Sequence, residues 1–149
     1  MIALRPVYDK AGEPNVEAVG LLYQLLRERP PEANISHREM PTVRQHTAFV
    51  RSRPYTAWYV VQNSEKQYVG AIYLTKAREV GIAIFRAHQG KGYARQAITI
   101  LRQKFPGKML ANVAPGNEAS HTLFKALGSK VVGTTYELPE RVRLKRSPA

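Results

Sequence analysis

A glycine-rich turn before a predicted helix is the segment of this sequence best suited to bind a charged ligand. The first backbone N–H groups of a helix have no intrahelical partner, and with the helix dipole they attract anions. Glycines in the turn let the backbone approach a phosphate closely, and a lysine adds positive charge. The turn therefore predicts a phosphate site. Its residues are Gln89, Gly90, Lys91, Gly92, Tyr93 and Ala94.

Two common phosphate-binding motifs do not fit this turn. The Gly-Lys-Ser/Thr of a nucleoside-triphosphate loop is absent, and so are the third glycine and the downstream acid of a dinucleotide fingerprint. An ordinary strand-to-helix turn without a ligand is the structural alternative. The turn alone leaves both interpretations open.

The elements around the turn predict a single α/β domain over residues 1–149. Alternating patterns indicate strands at 2–8, 55–62, 67–74, 79–85, 109–114 and 130–138. Helical spacing indicates helices at 16–29, 42–50, 93–104 and 117–127, the first two with Asn15 and Thr42 as caps. Residues 140–149 are interpreted as a basic edge strand or a solvated tail.

Two segments of the chain resemble the GNAT acetyltransferases. Gln89, Gly92 and Ala94 match the family's Gln/Arg-x-x-Gly-x-Gly/Ala signature, in the strand-to-helix context that the family has. Residues 112–128 look like the family's strand, Asn-x-x-Ala/Ser helix and Leu-Gly ending. The resemblance implies the GNAT fold, a mixed and mostly antiparallel central sheet flanked by helices. It also implies acetyl transfer from acetyl-CoA to a primary amine.

The same resemblance implies the cofactor contacts. The pyrophosphate of acetyl-CoA would lie on the amides of residues 89–94, and the pantetheine arm would pair with the backbone at Ile84 and Phe85. Asn117 would contact the pantetheine as well as cap its helix. No metal is expected. The full implied set is Ile84, Phe85, Gln89, Gly90, Lys91, Gly92, Tyr93, Ala94, Asn112, Asn117, Ser120 and Phe124.

For catalysis, Glu79 resembles the family's general-base carboxylate, and a strand-end ion pair with neighbouring basic residues is its structural alternative. The family's usual donor to the thioester carbonyl is the amide that here belongs to Ile84. The tyrosine that often protonates the departing thiolate falls on Phe124, which has no proton to give. Tyr93, Ser120 and His121 are the alternative proton donors, with a solvent-facing position as the other interpretation of His121, and a thiolate can also leave unprotonated.

Three residues are predicted to border the acceptor: His37, Tyr55 and Trp58. His37 lies in an aperiodic segment that borders the acceptor in the family, and a surface position is its alternative. Alternation along the strand at 55–62 directs one aromatic side chain to the cleft and the others to the core, with core packing favoured for Trp58.

Composition restricts the partners without naming one. The 149 residues have a net charge of +12 and no cysteine, which favours anionic partners and excludes disulfide and thiol chemistry. A small anionic amine, such as a nucleotide-linked amino sugar, is the preferred acceptor. A basic nucleic-acid-binding module and acetylation of a macromolecular amine are the alternatives. We expect a cytoplasmic protein without a membrane span, and a homodimer stays open.

Overall fold

The computed structural model describes residues 1–29 and 39–140 of the chain. Four strands form one antiparallel sheet in chain order. They are β1 (Ala3–Pro6), β2 (Ala57–Gln62), β3 (Tyr68–Leu74) and β4 (Val80–Ile84). Short turns at 63–67 and 75–79 join β2 to β3 and β3 to β4, so each of these strand pairs is a hairpin.

Helices flank this sheet, which confirms the predicted architecture. They are α1 (Val16–Glu28), α2 (Val43–Arg51), α3 (Tyr93–Lys104) and α4 (Glu118–Ala126), with a short 3-10 helix at Arg86–His88. Asn15 Oδ1 accepts from the Glu17 N–H at 3.0 Å, which caps α1. Thr42 and Gln45 bond reciprocally in a capping box at α2. Both predicted caps are confirmed.

Side-chain alternation along the strands divides the core between the two faces of the sheet. On one face, Ile72 and Leu74 pack with Ala97, Ile98 and Leu101 of α3. On the other face, Trp58, Val60 and Ala71 pack with the inner residues of α1 and with Val50 of α2. α1 and α2 therefore share one face of the sheet and α3 covers the other.

Arg78, in the turn between β3 and β4, holds the end of α3 against the sheet. Its guanidinium donates to the carbonyls of Phe105 (3.0 Å), Pro106 (3.1 Å) and Lys108 (3.1 Å). The carbonyls at a helix end lack intrahelical donors, and a cation is favoured there. Arg78 therefore supports the strand from which the candidate site is built.

Two predicted strands are wrong. Residues 109–114 make a single parallel bridge, between Glu79 and Leu110, because the backbone leaves β4 after Leu110. Residues 130–138 are exposed and form no strand, since no described segment lies beside them to complete a ladder. Val16, the first residue of α1, is 87% exposed, and α1 buries Ala18, Leu22 and Leu25.

Candidate active site

The outer edge of β4 is open along part of its length. In an antiparallel pair, successive residues direct their backbone groups to opposite sides of the strand. The Phe85 N–H donates to Val69 O at 2.9 Å, so the odd-numbered residues of this strand face β3. Val80 faces outward and donates to Leu110 O at 2.7 Å. Beyond that bond, no strand of the described chain pairs with the edge formed by Ile82 and Ile84.

The backbone of Phe85 is not available for the pairing that the sequence predicted. Its N–H faces β3, and its carbonyl accepts from the His88 N–H at 2.8 Å. Ile84 does face the open edge, where its carbonyl accepts from Gln89 Nε2 at 3.0 Å. Because of strand alternation, the open edge is formed by Ile84 and Ile82, and Phe85 is not part of it.

The glycine loop, residues 89–94, ends in the N-terminus of α3. Gly90 and Gly92 have φ of 77° and 83°, a left-handed conformation that glycine adopts without strain. Gly92 is the N-cap residue and provides no side-chain cap, whereas Asn15, Thr42 and Asn117 cap the other described α-helices. The first amides of α3 thus lack a capping acceptor from their own cap residue. An anion is the natural partner for such a group of amides.

Basic and small residues surround those amides. Lys91 and Arg95 are both exposed beside the loop. No atom lies within 4 Å of the position that a Cβ on Gly90 would take, so the approach to the backbone there is open. Ala94, the second residue of α3, adds only a methyl group. The loop has the charge and the access that a phosphate ligand needs.

Tyr93 begins α3 on the sheet side of the loop. Its ring is half-buried against the α3-side core, and its hydroxyl is 3.5 Å from Asn63 Nδ2 in the β2–β3 turn. The ring of His88 lies 6.4 Å away, and His88 Nδ1 is buried with no hydrogen-bond partner among the described residues. Tyr93 therefore lies at the end of the sheet where β4 finishes, opposite to the end where Glu79 begins it.

The predicted residues of α4 lie at its first two turns. Asn117 Oδ1 accepts from the Ser120 N–H at 3.3 Å, so the predicted cap is confirmed. Ser120 is half-buried, and His121 Nε2 bonds Ala114 O at 3.1 Å. Phe124 packs against the α3-side core. Its side chain has no acidic proton, so it is not a proton donor.

Glu79 precedes β4 and is bound by an asparagine. Its Oε2 accepts from Asn112 Nδ2, and its N–H donates to Thr75 Oγ1 at 2.9 Å. Arg78 instead bonds the carbonyls after α3, so an ion pair with Arg78 is not how Glu79 is held. By alternation Glu79 shares a face of the strand with Gly81 and Ala83, the face covered by α1 and α2.

A cavity of about 350 Å³ opens on that face. We call it the α1–α2 cavity, because both helices form its walls. Its floor is β4 at Gly81, Ile82 and Ala83, so the cavity meets the strand beside the open edge. The other lining residues are Leu22, Leu25, Leu26, Arg29, Pro41, Gln45, His46, Phe49, Tyr55, Trp58, Ala71 and Tyr73.

Aromatic rings form one wall of the α1–α2 cavity. Tyr55 and Tyr73 stack in parallel, with centroids 4.0 Å apart and an angle of 5°. Trp58 meets both of them edge to face, at 4.7 Å and 6.2 Å, and Phe49 meets Tyr55 in the same way at 5.9 Å. Burial and the neighbouring Tyr73 raise the pKa of Tyr55, while the Arg29 charge acts in the opposite direction. The Tyr55 hydroxyl is therefore a neutral polar group in this wall.

His46 of α2 contributes a buried imidazole to the cavity lining. It is 3% exposed, and its Nε2 lies 3.0 Å from the carbonyl of Val19 in α1. A carbonyl can only accept, so Nε2 bears the proton of the neutral ring. Burial lowers the pKa of His46 below its ordinary 6.5, against the raising effect of this hydrogen bond. His46 thus joins α2 to α1 as a neutral imidazole.

The sequence model of the acetyltransferase (GNAT) domain matches residues 15–130, which is most of the chain. The match includes the glycine loop, all of β2–β4 and the walls of the α1–α2 cavity. This chain belongs to the GNAT acetyltransferase family. No curated protein sequence matches it.

Solved structures from several organisms have a fold similar to that of this GNAT protein. A domain from Methanocaldococcus jannaschii has 19% identity and a TM-score of 0.75, with coverage of 92% of this chain and 93% of that one. The spermidine/spermine N-acetyltransferase SpeG from Vibrio cholerae has 22% identity and a TM-score of 0.67, with coverage of 89% and 81%. YncA from Salmonella typhimurium, solved with its cofactor acetyl-CoA, has 21% identity and a TM-score of 0.64, with coverage of 89% and 82%.

Sequence reasoning found part of the site of this GNAT acetyltransferase and missed part. Tyr55 and Trp58 both line the α1–α2 cavity, where the alternation argument placed only one of them. His37 lies outside the described residues. His46, Arg29 and Tyr73 also line the cavity and were not predicted, because the packing that brings them together is not visible in the sequence.

Two kinds of feature are absent from the described part of this GNAT chain. No group of three or more His, Asp or Glu side chains within residues 1–29 and 39–140 comes together in a way that could hold a metal ion. No helix in the same part of the chain combines the length and the apolar character that a membrane crossing needs.

Proposed function

We propose that this acetyltransferase transfers the acetyl group of acetyl-CoA to a primary amine of a small molecule held in the α1–α2 cavity. The observation that supports this most is the meeting of two features at one strand. The cavity reaches β4 at Gly81, Ile82 and Ala83, and the outer edge of the strand is open at Ile82 and Ile84. An extended ligand paired with that edge would have its end beside an amine in the cavity.

The glycine loop is proposed to bind the pyrophosphate of acetyl-CoA. The uncapped amides at the start of α3 and the exposed Lys91 and Arg95 fit a diphosphate in charge and in donor type. Gly90 and Gly92 allow the close approach, and Gln89 and Ala94 complete the loop. The cofactor supplies the activated acetyl thioester, and the protein residues orient it.

The pantetheine arm is proposed to pair with Ile82 and Ile84 at the outer edge of β4, with Asn112, Asn117, Ser120 and Phe124 as the predicted contacts on the other side. The Ile84 N–H also faces this edge and is the proposed donor to the thioester carbonyl. Pairing with the Ile84 carbonyl requires Gln89 Nε2 to release it. Edge pairing of this kind gives affinity through main-chain hydrogen bonds.

Glu79 is proposed as the general base and Asn112 as the residue that positions it. The attacking amine must lose a proton, form a C–N bond to the acetyl carbon and displace the thiolate, which gains a proton. Glu79 lies two residues before Gly81 on the face that borders the cavity, so a carboxylate at this place can accept the amine proton, directly or through water. Tyr93 and Ser120 stay the predicted proton donors.

A small acceptor fits the cavity better than a macromolecule does, because the volume is at the lower end for ligand sites. The predicted preference for an anionic acceptor is retained on the basis of Arg29 in the lining and the net charge of +12. A nucleotide-linked amino sugar remains one such acceptor. We further propose that residues 1–149 act as one acetyltransferase domain. The nucleic-acid module is not favoured, since family membership accounts for the glycine loop.

The experiment that tests this function measures CoA release with a thiol reagent while a panel of amines is supplied with acetyl-CoA. The chain has no cysteine, so the reagent reports only the thiol of the released CoA. Mass spectrometry of the amine identifies the acetylated product. Amine-dependent release with an acetylated product supports the proposal. Acetyl-CoA binding without transfer to any amine contradicts it.

A further inference from the structure

The α1–α2 cavity is mostly apolar, and its charged lining is positive. Among the lining residues that the structure describes there is no aspartate and no glutamate. Besides the tyrosines, the side chains with polar atoms are Arg29, Gln45, His46 and Trp58, and His46 already donates to Val19. A ligand in this cavity therefore finds many apolar contacts and few hydrogen-bond partners.

A linear polyamine does not suit such a cavity. Each ammonium that leaves water needs a carboxylate or several acceptors to replace its hydration. The described lining offers instead the positive charge of Arg29 and a neutral His46. Among residues 1–29 and 39–140, the lining therefore does not supply the carboxylates that a spermidine-like polyamine needs.

An amino sugar is also poorly matched to the lining. Sugar hydroxyls that are buried without partners cost free energy, and each needs a donor or an acceptor from the protein. The floor of the cavity is Gly81, Ile82 and Ala83, and Leu22, Leu25 and Leu26 of α1 face it. These residues have no polar side-chain atoms. They favour an apolar ligand body.

The side chains of the aromatic wall contact one another closely, which favours an aromatic ring as the ligand. The Tyr55–Tyr73 stack and the edge-on Trp58 support one another, so the wall exists before a ligand enters. Aromatic rings gain from edge and face contacts in addition to the area that they bury. A planar apolar group is therefore the best occupant for this wall.

Arg29 supplies the one cationic side chain among the described lining residues. It lies at the end of α1, half-buried, and close enough to Tyr55 for its charge to act on that hydroxyl. A guanidinium binds a carboxylate through two parallel hydrogen bonds, which fixes both position and direction. A carboxylate bound to Arg29 would leave the remainder of a ligand against the aromatic wall.

We infer that the acceptor is an amine with an aromatic or branched apolar body and a carboxylate, as in an aromatic α-amino acid. The apolar body packs against Tyr55, Trp58 and Tyr73, the carboxylate binds Arg29, and the amine is directed to the floor at β4. This inference rests on the proposed function and specifies its acceptor.

Matched pairs of amines with and without the carboxylate test the inference. Phenylalanine is compared with phenethylamine, and leucine with isoamylamine, for the wild type and for Arg29→Gln. Spermidine and a nucleotide-linked amino sugar complete the panel. We expect a kcat/KM for each amino acid at least about tenfold above that of its decarboxylated partner, the size of a charged hydrogen bond. Arg29→Gln should remove most of that difference, because the variant loses more kcat/KM for each amino acid than for its decarboxylated partner.

Other outcomes overturn the inference and separate it from the proposed function. Spermidine or the amino sugar as the best acceptor overturns the inference alone, and so does an equal effect of Arg29→Gln on both members of a pair. Turnover of no amine in the panel by a chain that binds acetyl-CoA also overturns it. Failure of the folded chain to bind acetyl-CoA contradicts the proposed function itself.

Discussion

The phenol ring of Tyr73 lies directly on the backbone of Gly81, its partner across the β3–β4 ladder. A Cβ at residue 81 would overlap the ring, so glycine is the residue that allows this contact. The same ring stacks on Tyr55 and lines the α1–α2 cavity. Gly81 therefore sets the position of the aromatic wall above the strand.

Gly81→Ala should push Tyr73 away from β4 and disturb the wall. We expect a loss of about 1–3 kcal/mol in the free energy of unfolding, as for other overpacked core positions. The KM for the amine should rise, while the affinity for acetyl-CoA stays near that of the wild type, because the glycine loop is not involved. Urea unfolding and steady-state kinetics measure the two effects.

Gly20→Ala is the matched control for that variant. Gly20 lies within α1, and no atom is within 4 Å of its Cβ position. Alanine should stabilise the helix there by about 0.5–1 kcal/mol. If Gly81→Ala and Gly20→Ala changed the free energy of unfolding and the KM for the amine equally, the role of Gly81 in positioning the aromatic wall would be contradicted.

Glu79→Gln should lower kcat by about 10²-fold or more, the usual loss when a general base is removed. Glutamine keeps an oxygen that can accept from Asn112, so the geometry around residue 79 and the acetyl-CoA affinity should be retained. Glu65→Gln, at an exposed position in the β2–β3 turn, is the control. A kcat of Glu79→Gln equal to that of the control would show that another group or water takes the amine proton.

The His46 imidazole should make stability depend on pH. Its pKa is lowered in the folded chain, so the unfolded state binds the proton more readily. The contribution is fully present above the ordinary pKa of 6.5 and is lost as the pH falls below that value toward the lowered pKa.

His46→Gln removes this titration and keeps an amide that can donate to Val19. The difference between the unfolding free energies at about pH 7.5 and about pH 5 should be smaller in the variant than in the wild type. Urea unfolding at both pH values measures it. The same difference in both proteins would mean that His46 titrates alike when folded and unfolded.

Arg78→Ala should destabilise the connection between the β3–β4 turn and the end of α3. It removes the donor to the carbonyls of Phe105, Pro106 and Lys108. We expect a loss of about 2 kcal/mol in the free energy of unfolding, since hydrogen bonds from a charged group are among the stronger ones. Arg102→Ala, on the exposed side of α3, is the control, and a loss no larger than in that control would be contrary to this role.

Local rules predicted those parts of the fold that depend on local chemistry. The caps Asn15 and Thr42, the bounds of α3 and the hairpins between β2, β3 and β4 follow from propensity, turn residues and alternation. The glycine loop was found because left-handed glycines before a helix are visible as residue types.

Tertiary contacts decided the rest, and the sequence does not display them. The strands predicted at 109–114 and 130–138 have suitable residues, but a strand forms only beside a partner, and the chain departs from β4 after Leu110. The register of β4 against β3 decides which backbone groups are bonded. In this register the Phe85 N–H bonds Val69, and the backbone groups of Ile82 face outward. His46 and Arg29 face the cavity only because α1 and α2 pack on the same side of the sheet.

Calorimetric titration of acetyl-CoA against three proteins tests the central claim most directly. They are the wild type, Gly92→Glu in the glycine loop, and Gly128→Glu beyond α4. Gly92 and Gly128 share a left-handed φ, 83° and 80°, so the two substitutions add the same charge with similar backbone strain. We predict micromolar binding to the wild type and to Gly128→Glu, with affinity at least about tenfold weaker in Gly92→Glu because its carboxylate repels the pyrophosphate. Equal affinity in both variants, or no binding to the folded wild type, would contradict the account.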